Sequence, residues 1–133
     1  MNDQERLETA VTAALLARGR SLDWLSTALT AVAAALLLAG LGAAKLEAAI
    51  VLVGIGAKYL AGRVALDARL FEIVAERSLA TESFDAAMTR LGLLPSAKTG
   101  RPWADRCRGA TRLFRLQAVT VALQCMLAVG AAF

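Results

Sequence analysis

The chain has 133 residues, enough for one domain, and 58% of them are hydrophobic, with a mean hydropathy of +0.57. That is above the roughly 45–50% apolar share of soluble domains. The 15 basic and 11 acidic residues leave a net charge of +4, with no histidine and only two cysteines, which excludes a conventional zinc centre or a Cys-x-x-Cys redox pair built from one chain.

Ala and Leu dominate the apolar set, aromatics are 5%, and no stretch alternates apolar with polar residues long enough to read as a barrel strand. The sequence therefore predicts an all-α fold. Specifically, it predicts an integral membrane helical bundle of three transmembrane helices with an extended cytoplasmic helical hairpin.

Residues 1–20 read as an N-terminal amphipathic cytoplasmic helix, with Leu7, Val11, Ala14 and Leu15 apolar and Arg6, Glu8 and Arg18 on other faces. It is too polar to span and too acidic to be a cleavable signal peptide, and it suits either the headgroup surface or a partner's cytoplasmic face. Gly19 reads as a break, with Ser21 or Asp23 capping the next helix.

Residues 24–62 read as a transmembrane hairpin. The first span, 25–44, carries no charge, and its length matches the roughly 20 residues needed to cross about 30 Å of hydrocarbon. Gly40, Gly42, Lys45 and Glu47 mark a turn, and the second span, 46–62, needs Lys58 to snorkel beside Tyr59. Nothing stops that helix after Gly62, so it is expected to run on to about Leu79, with roughly a third of it clear of the membrane.

Residues 63–112 read as the cytoplasmic hairpin and loop. The extension carries Leu66, Leu70, Ile73 and Val74 on one side. A short helix from Thr81 or Ser83 to about Leu91 carries Phe84, Met88 and Leu91 at helical spacing. Neither stripe is long enough to be stable alone in water, so the two are expected to pair as a contact surface. Pro95, Ser96, Lys98, Thr99, Gly100, Arg101 and Pro102 form a loop, and 113–133 is the third transmembrane helix, uncharged from 116 onward. Cys107 and Cys125, 18 positions apart on that one helix, are separated by about 27 Å, beyond disulfide reach.

Of the Lys and Arg residues, three lie before the first span, one in the first turn, eleven between Lys58 and Arg115, and none after the last span. Positive charge stays inside, which predicts a bacterial inner (cytoplasmic) membrane protein with its N-terminus cytoplasmic and its C-terminus outside. Trp24, Lys58, Tyr59, Trp103, Arg112 and Arg115 are the expected membrane-interface anchors. The basic residues are interleaved with Glu72, Glu76, Glu82, Asp85 and Asp105, which fits topogenic charge on anionic lipid better than nucleic acid.

No catalytic, cofactor-binding or metal-binding constellation emerges, and no small-molecule substrate is evident. Gly54-Ile55-Gly56 lacks the strand and the Lys-Ser/Thr of a phosphate loop, Asp67 with Arg63 reads as a solvated ion-pair face, and Cys107 reads as incidental. More informative are small and polar residues within the spans: Gly54, Ala57, Ala61 and Gly62 in span two, Gly40 and Ala43 late in span one, and Gln117, Thr120 and Gln124 on one stripe of span three. Small faces let helices approach closely, and a glutamine in lipid must find a partner. These features predict a non-catalytic assembly, scaffold or accessory subunit whose partners are the lipid bilayer and either itself or a larger membrane complex. The alternative is a homo-oligomeric channel or membrane-disrupting effector in which the glutamine stripe or the second span lines a pore.

Overall fold

The computed structural model describes residues 1–93 and 99–132. They form five helices and, among the described residues, no strand: α1 Asp3–Ala17, α2 Gly19–Ala39, α3 Ala44–Arg77, α4 Thr81–Arg90 and α5 Trp103–Ala132.

Helix α1 starts with a capping box, in which the Asn2 side chain accepts from Glu5 N–H at 2.8 Å and the Glu5 carboxylate accepts from Asn2 N–H at 2.9 Å. The expected break at Gly19 is only one residue wide. Arg18 keeps helical angles and its N–H reaches Leu15 and Leu16 carbonyls, so α1 runs into α2 with no side-chain cap from Ser21 or Asp23. Gly19 serves a close helix approach instead: a Cβ there would stand 2.8 Å from Gln117 Oε1 and 2.9 Å from Val64 Cγ1.

Helix α2 stops at Ala39 because Gly40 turns left-handed and Leu41 N–H closes the last turn on Leu36 C=O at 3.0 Å. The first apolar helix therefore ends at Ala39, five residues before the expected end at residue 44. Gly40 and Ala43 lie in the exposed turn and not on a packing face. As expected, α3 continues without interruption past Gly62, to Arg77, where Ser78 takes a left-handed conformation. Helix α4 starts at Thr81, one of the two expected starts, with Ala80 as its N-cap and no side-chain bond. Of the expected loop, residues 95–98 lie outside the described residues.

Three helical rods pack together. Arg6 Nε donates to Ala75 O at 3.1 Å, and Gly19 lies against Val64 and Thr30 against Gly54, so α1 and α2 run antiparallel to α3. Gln117 meets Gly19 and Gln124 meets Ser26, so α5 runs parallel to α2. Asp3–Ala39, Ala44–Arg77 and Trp103–Ala132 are each long and apolar enough to cross a membrane. At 1.5 Å per residue each also exceeds about 30 Å of hydrocarbon by a third or more.

The half of the bundle away from the α2–α3 turn has an ordinary apolar core of Leu16, Val64, Phe71, Val74, Trp103, Cys107 and Ala110. This changes the expected hairpin. The extension of α3 is covered by α1 and the start of α5, and α4 joins from outside through Phe84. Ala68, Phe71 and Ala75 form the packed face because small residues let α1 approach, which leaves Leu66, Ile73 and Leu91 exposed.

In the half nearer that turn the usual pattern is inverted. Leu38, Leu52, Ile55, Val119, Met126 and Val129 are more than half exposed, whereas Ser26, Gln117 and Gln124 are buried.

Candidate functional site

Ser26, Gln117 and Gln124, buried in the apolar half, form a polar seam between α2, α3 and α5. Gln124 anchors it. Its Nε2 donates to Thr30 Oγ1 at 2.8 Å and lies 3.3 Å from both the Ser26 and Ile50 carbonyl oxygens, while its Oε1 accepts from Ser26 Oγ at 2.7 Å. The two carbonyls fix the amide orientation, because only the NH2 end can face them. One side chain thus ties three helices together.

Two turns away, Gln117 Nε2 donates to Gly19 O at 2.9 Å, and Gln117 Oε1 has no hydrogen-bond partner among the described residues. The carbonyls of Gly19 and Ile50 come within reach because Gly19 and Gly54 carry no side chain to hold the helices apart; a Cβ on Gly54 would overlap Thr30 Oγ1. Thr30 also donates to Ser26 O at 2.7 Å, keeping its own proton within the helix.

Of the small and polar residues marked in the sequence, Gly54, Ala57, Ala61, Gln117 and Gln124 are brought together inside the bundle. Thr120 instead bonds to its own helix at Leu116 O, 2.8 Å away, and Gly62 faces open space. Both glutamine side chains are enclosed within one chain.

One turn from Gly19, Lys58 Nζ pairs with Asp23 Oδ1 at 2.7 Å, both half-exposed. Lys58 does not need to snorkel alone, since α2 supplies its counter-ion. Trp24 and Tyr59 follow at the same height on α2 and α3, each 70% exposed, and Arg112 and Arg115 are exposed on α5. Trp103 departs from its expected interface role. It is buried, edge-on to Phe71 and Phe84 at centroid distances of 6.4 and 5.2 Å, because it lies at the far end of α5 from the apolar stretch.

A second polar centre, unforeseen in the sequence, fixes α4. Buried Asp85 accepts from Arg106 NH2 and from Gly100 N–H, both at 2.6 Å, and the Arg106 guanidinium lies 5.3 Å from the ring centres of Phe84 and Trp103. The ring of Trp103 is also packed here, with its Nε1 unpartnered among the described residues. Beside it a shallow cleft of about 190 Å3 holds Arg63, Asp67, Leu70 and Met88. Burial pushes the Asp67 carboxyl above the usual carboxylate range, and Arg63 partly opposes that shift.

A larger groove of about 780 Å3 runs between α1 and α3, floored by alanines including Ala10, Ala14, Ala65 and Ala68 and edged by Arg20, Arg69 and Glu76. Beside it Leu7, Val11 and Leu15 of α1 face outward, so the apolar stripe read in 1–20 is left uncovered while Thr9, Thr12 and Leu16 are buried. Comparison of the chain with known protein families, curated proteins and solved structures finds no match.

Proposed function

We propose that the protein is a non-catalytic integral membrane protein that acts as an assembly or accessory subunit, docking a larger membrane protein through the extramembrane part of its bundle. The observation that carries the membrane part is the inverted pattern: in one half of the bundle aliphatic side chains face outward and amides face inward. Water would penalise that arrangement on both counts, and hydrocarbon favours it. All three rods switch from charged to mainly apolar near the same height, marked by Gly19, Val64 and Gln117, with the Lys58–Asp23 pair just beyond it. In this reading the switch is the cytoplasmic boundary, the N-terminus and α4 are inside, and the C-terminal end of α5 is outside.

The docking part rests on the apolar surface of the charged half. Leu7, Val11 and Leu15 on α1, with Leu66 and Ile73 on α3, flank the alanine-floored groove. Such a surface on a segment standing in water marks a contact with another protein. Leu70, Phe84 and Met88 are half-buried and Val74 is buried, so they support the fold more than the contact.

The test is isolation of the full chain from membranes in mild detergent, followed by mass measurement. The proposal expects a stoichiometric complex with one unrelated membrane protein, lost on Leu7→Glu with Val11→Glu. A closed ring of identical subunits would favour the channel reading. Full recovery in the supernatant after ultracentrifugation without detergent would remove the membrane reading altogether.

A further inference from the structure

We propose that Arg18, Arg20, Arg63 and Arg115 form a ring that binds the phosphate groups of anionic lipids at the boundary between the charged and apolar halves of the bundle. Gly19, Val64 and Gln117 touch one another across α2, α3 and α5. Arg18 and Arg20 flank Gly19, Arg63 precedes Val64, and Arg115 stands two residues before Gln117. All four therefore lie within about 3 Å of one height along the bundle axis, at 1.5 Å per residue.

Their surroundings separate them from the ion-paired arginines of the bundle. All four are exposed, and none makes an ion pair among the described residues. Away from the boundary, Arg69 pairs with Glu72, Arg106 with Asp85 and Arg108 with Asp105. The nearby carboxylates do not neutralise the ring, because Asp23 is taken by Lys58 on its apolar side and Asp67 is half-buried beside Arg63 alone. Four guanidiniums with free donors, set where apolar side chains begin, complement a surface carrying phosphate diesters. A requirement for positive charge in topology would be met equally by arginines paired with acids; four exposed guanidiniums, unpaired among the described residues and gathered at the height where apolar side chains begin, are what points to an external anion.

The inference rests on the membrane reading, and its test separates the two. The full chain is reconstituted in vesicles of phosphatidylcholine, or of equal parts phosphatidylcholine and phosphatidylglycerol, with one lipid brominated on its acyl chains near the glycerol. Emission from Trp24, 70% exposed and little more than one turn from the ring, reports which lipid is adjacent, against a constant background from buried Trp103. The ring predicts that brominated phosphatidylglycerol quenches in preference to brominated phosphatidylcholine, by about 5-fold in relative association for a single guanidinium–headgroup contact. The preference should fall towards unity in about 1 M salt, where the Debye length is about 3 Å. It should also fall in the variant carrying Arg18→Gln, Arg20→Gln, Arg63→Gln and Arg115→Gln, and persist with Arg69→Gln and Arg108→Gln.

Equal quenching by the two lipids in a chain that floats with both kinds of vesicle would overturn the ring and leave the membrane reading standing. Loss of the preference on adding inorganic phosphate at constant ionic strength would also overturn it, in favour of a soluble phosphate site. A chain that floats with neither vesicle would overturn both.

Discussion

The side-chain amide of Gln117 donates to the backbone carbonyl of Gly19 at 2.9 Å, across a contact that leaves no room for a Cβ at residue 19. That pair sets the register of α5 against α2, and with Val64 it defines the height at which all three rods change character. Gln124 repeats the arrangement against Ser26 and Ile50 two turns further along.

The two glutamines differ in how completely they are used, and their substitutions should differ accordingly. Gln124→Leu removes bonds to two helices and strands Ser26 Oγ, so it should destabilise by about 1–2 kcal/mol in detergent or bilayer unfolding. Gln117→Leu loses one bond but also removes a carbonyl that has no partner, and should cost less than about 0.6 kcal/mol. A larger loss for Gln117→Leu than for Gln124→Leu would contradict this ordering.

Gly54→Ala should destabilise because the new methyl meets Thr30 Oγ1, and Thr30→Ala should relieve only part of the loss in the double variant, since Gln124 Nε2 stands 2.9 Å from the same methyl. Gly62→Ala is the control, since open space surrounds that position and the helix gains up to about 1 kcal/mol from the exchange. Thermal denaturation of the four proteins in one detergent measures both.

Asp85→Ala leaves the Arg106 guanidinium, nearly buried between Phe84 and Trp103, without its counter-ion. The expected cost is about 3–5 kcal/mol, concentrated in α4. Amide exchange should accelerate across Thr81–Arg90 while the α2–α3–α5 seam keeps its protection. Uniform acceleration along all helices would show that the clasp is not local.

The Asp67 carboxyl binds its proton more tightly in the folded chain than in the unfolded one, chiefly through burial. Its contribution to stability is therefore fully present below the unfolded pKa, near pH 4, and is lost as pH rises through the higher folded value. Asp67→Asn should flatten that part of the stability curve. Arg63→Gln, by removing the opposing charge, should extend the loss to higher pH. Unfolding measured from pH 4 to pH 8 distinguishes the three proteins.

The helical class, the three apolar stretches and the long run of α3 past Gly62 were legible from composition and from where charges stop, because both are properties of local sequence. The facing of each helix was only partly legible. Periodicity nominated Leu66, Leu70, Ile73 and Val74 as the packed side of α3; Val74 is buried, yet the small side chains of Ala68 and Ala75 let α1 come close and carried the burial to Phe71 rather than to Leu66 and Ile73. Ser26 and Thr30, one turn apart in an uncharged run, were a usable signal for the seam. Asp85 and Arg106, 21 positions apart, left no comparable mark in the sequence.

What the sequence by itself determined is therefore how long and how apolar each helix is, since hydropathy adds along a chain with little regard to neighbours. What only the tertiary structure decided is which polar group meets which: that Gly19 is a contact and not a break, that Asp23 serves Lys58 and not a helix cap, and that Trp103 belongs to a core and not to an interface. Those outcomes depend on backbone approach and rotation between helices tens of residues apart, and hydrogen bonds and ion pairs are worth little until that geometry exists.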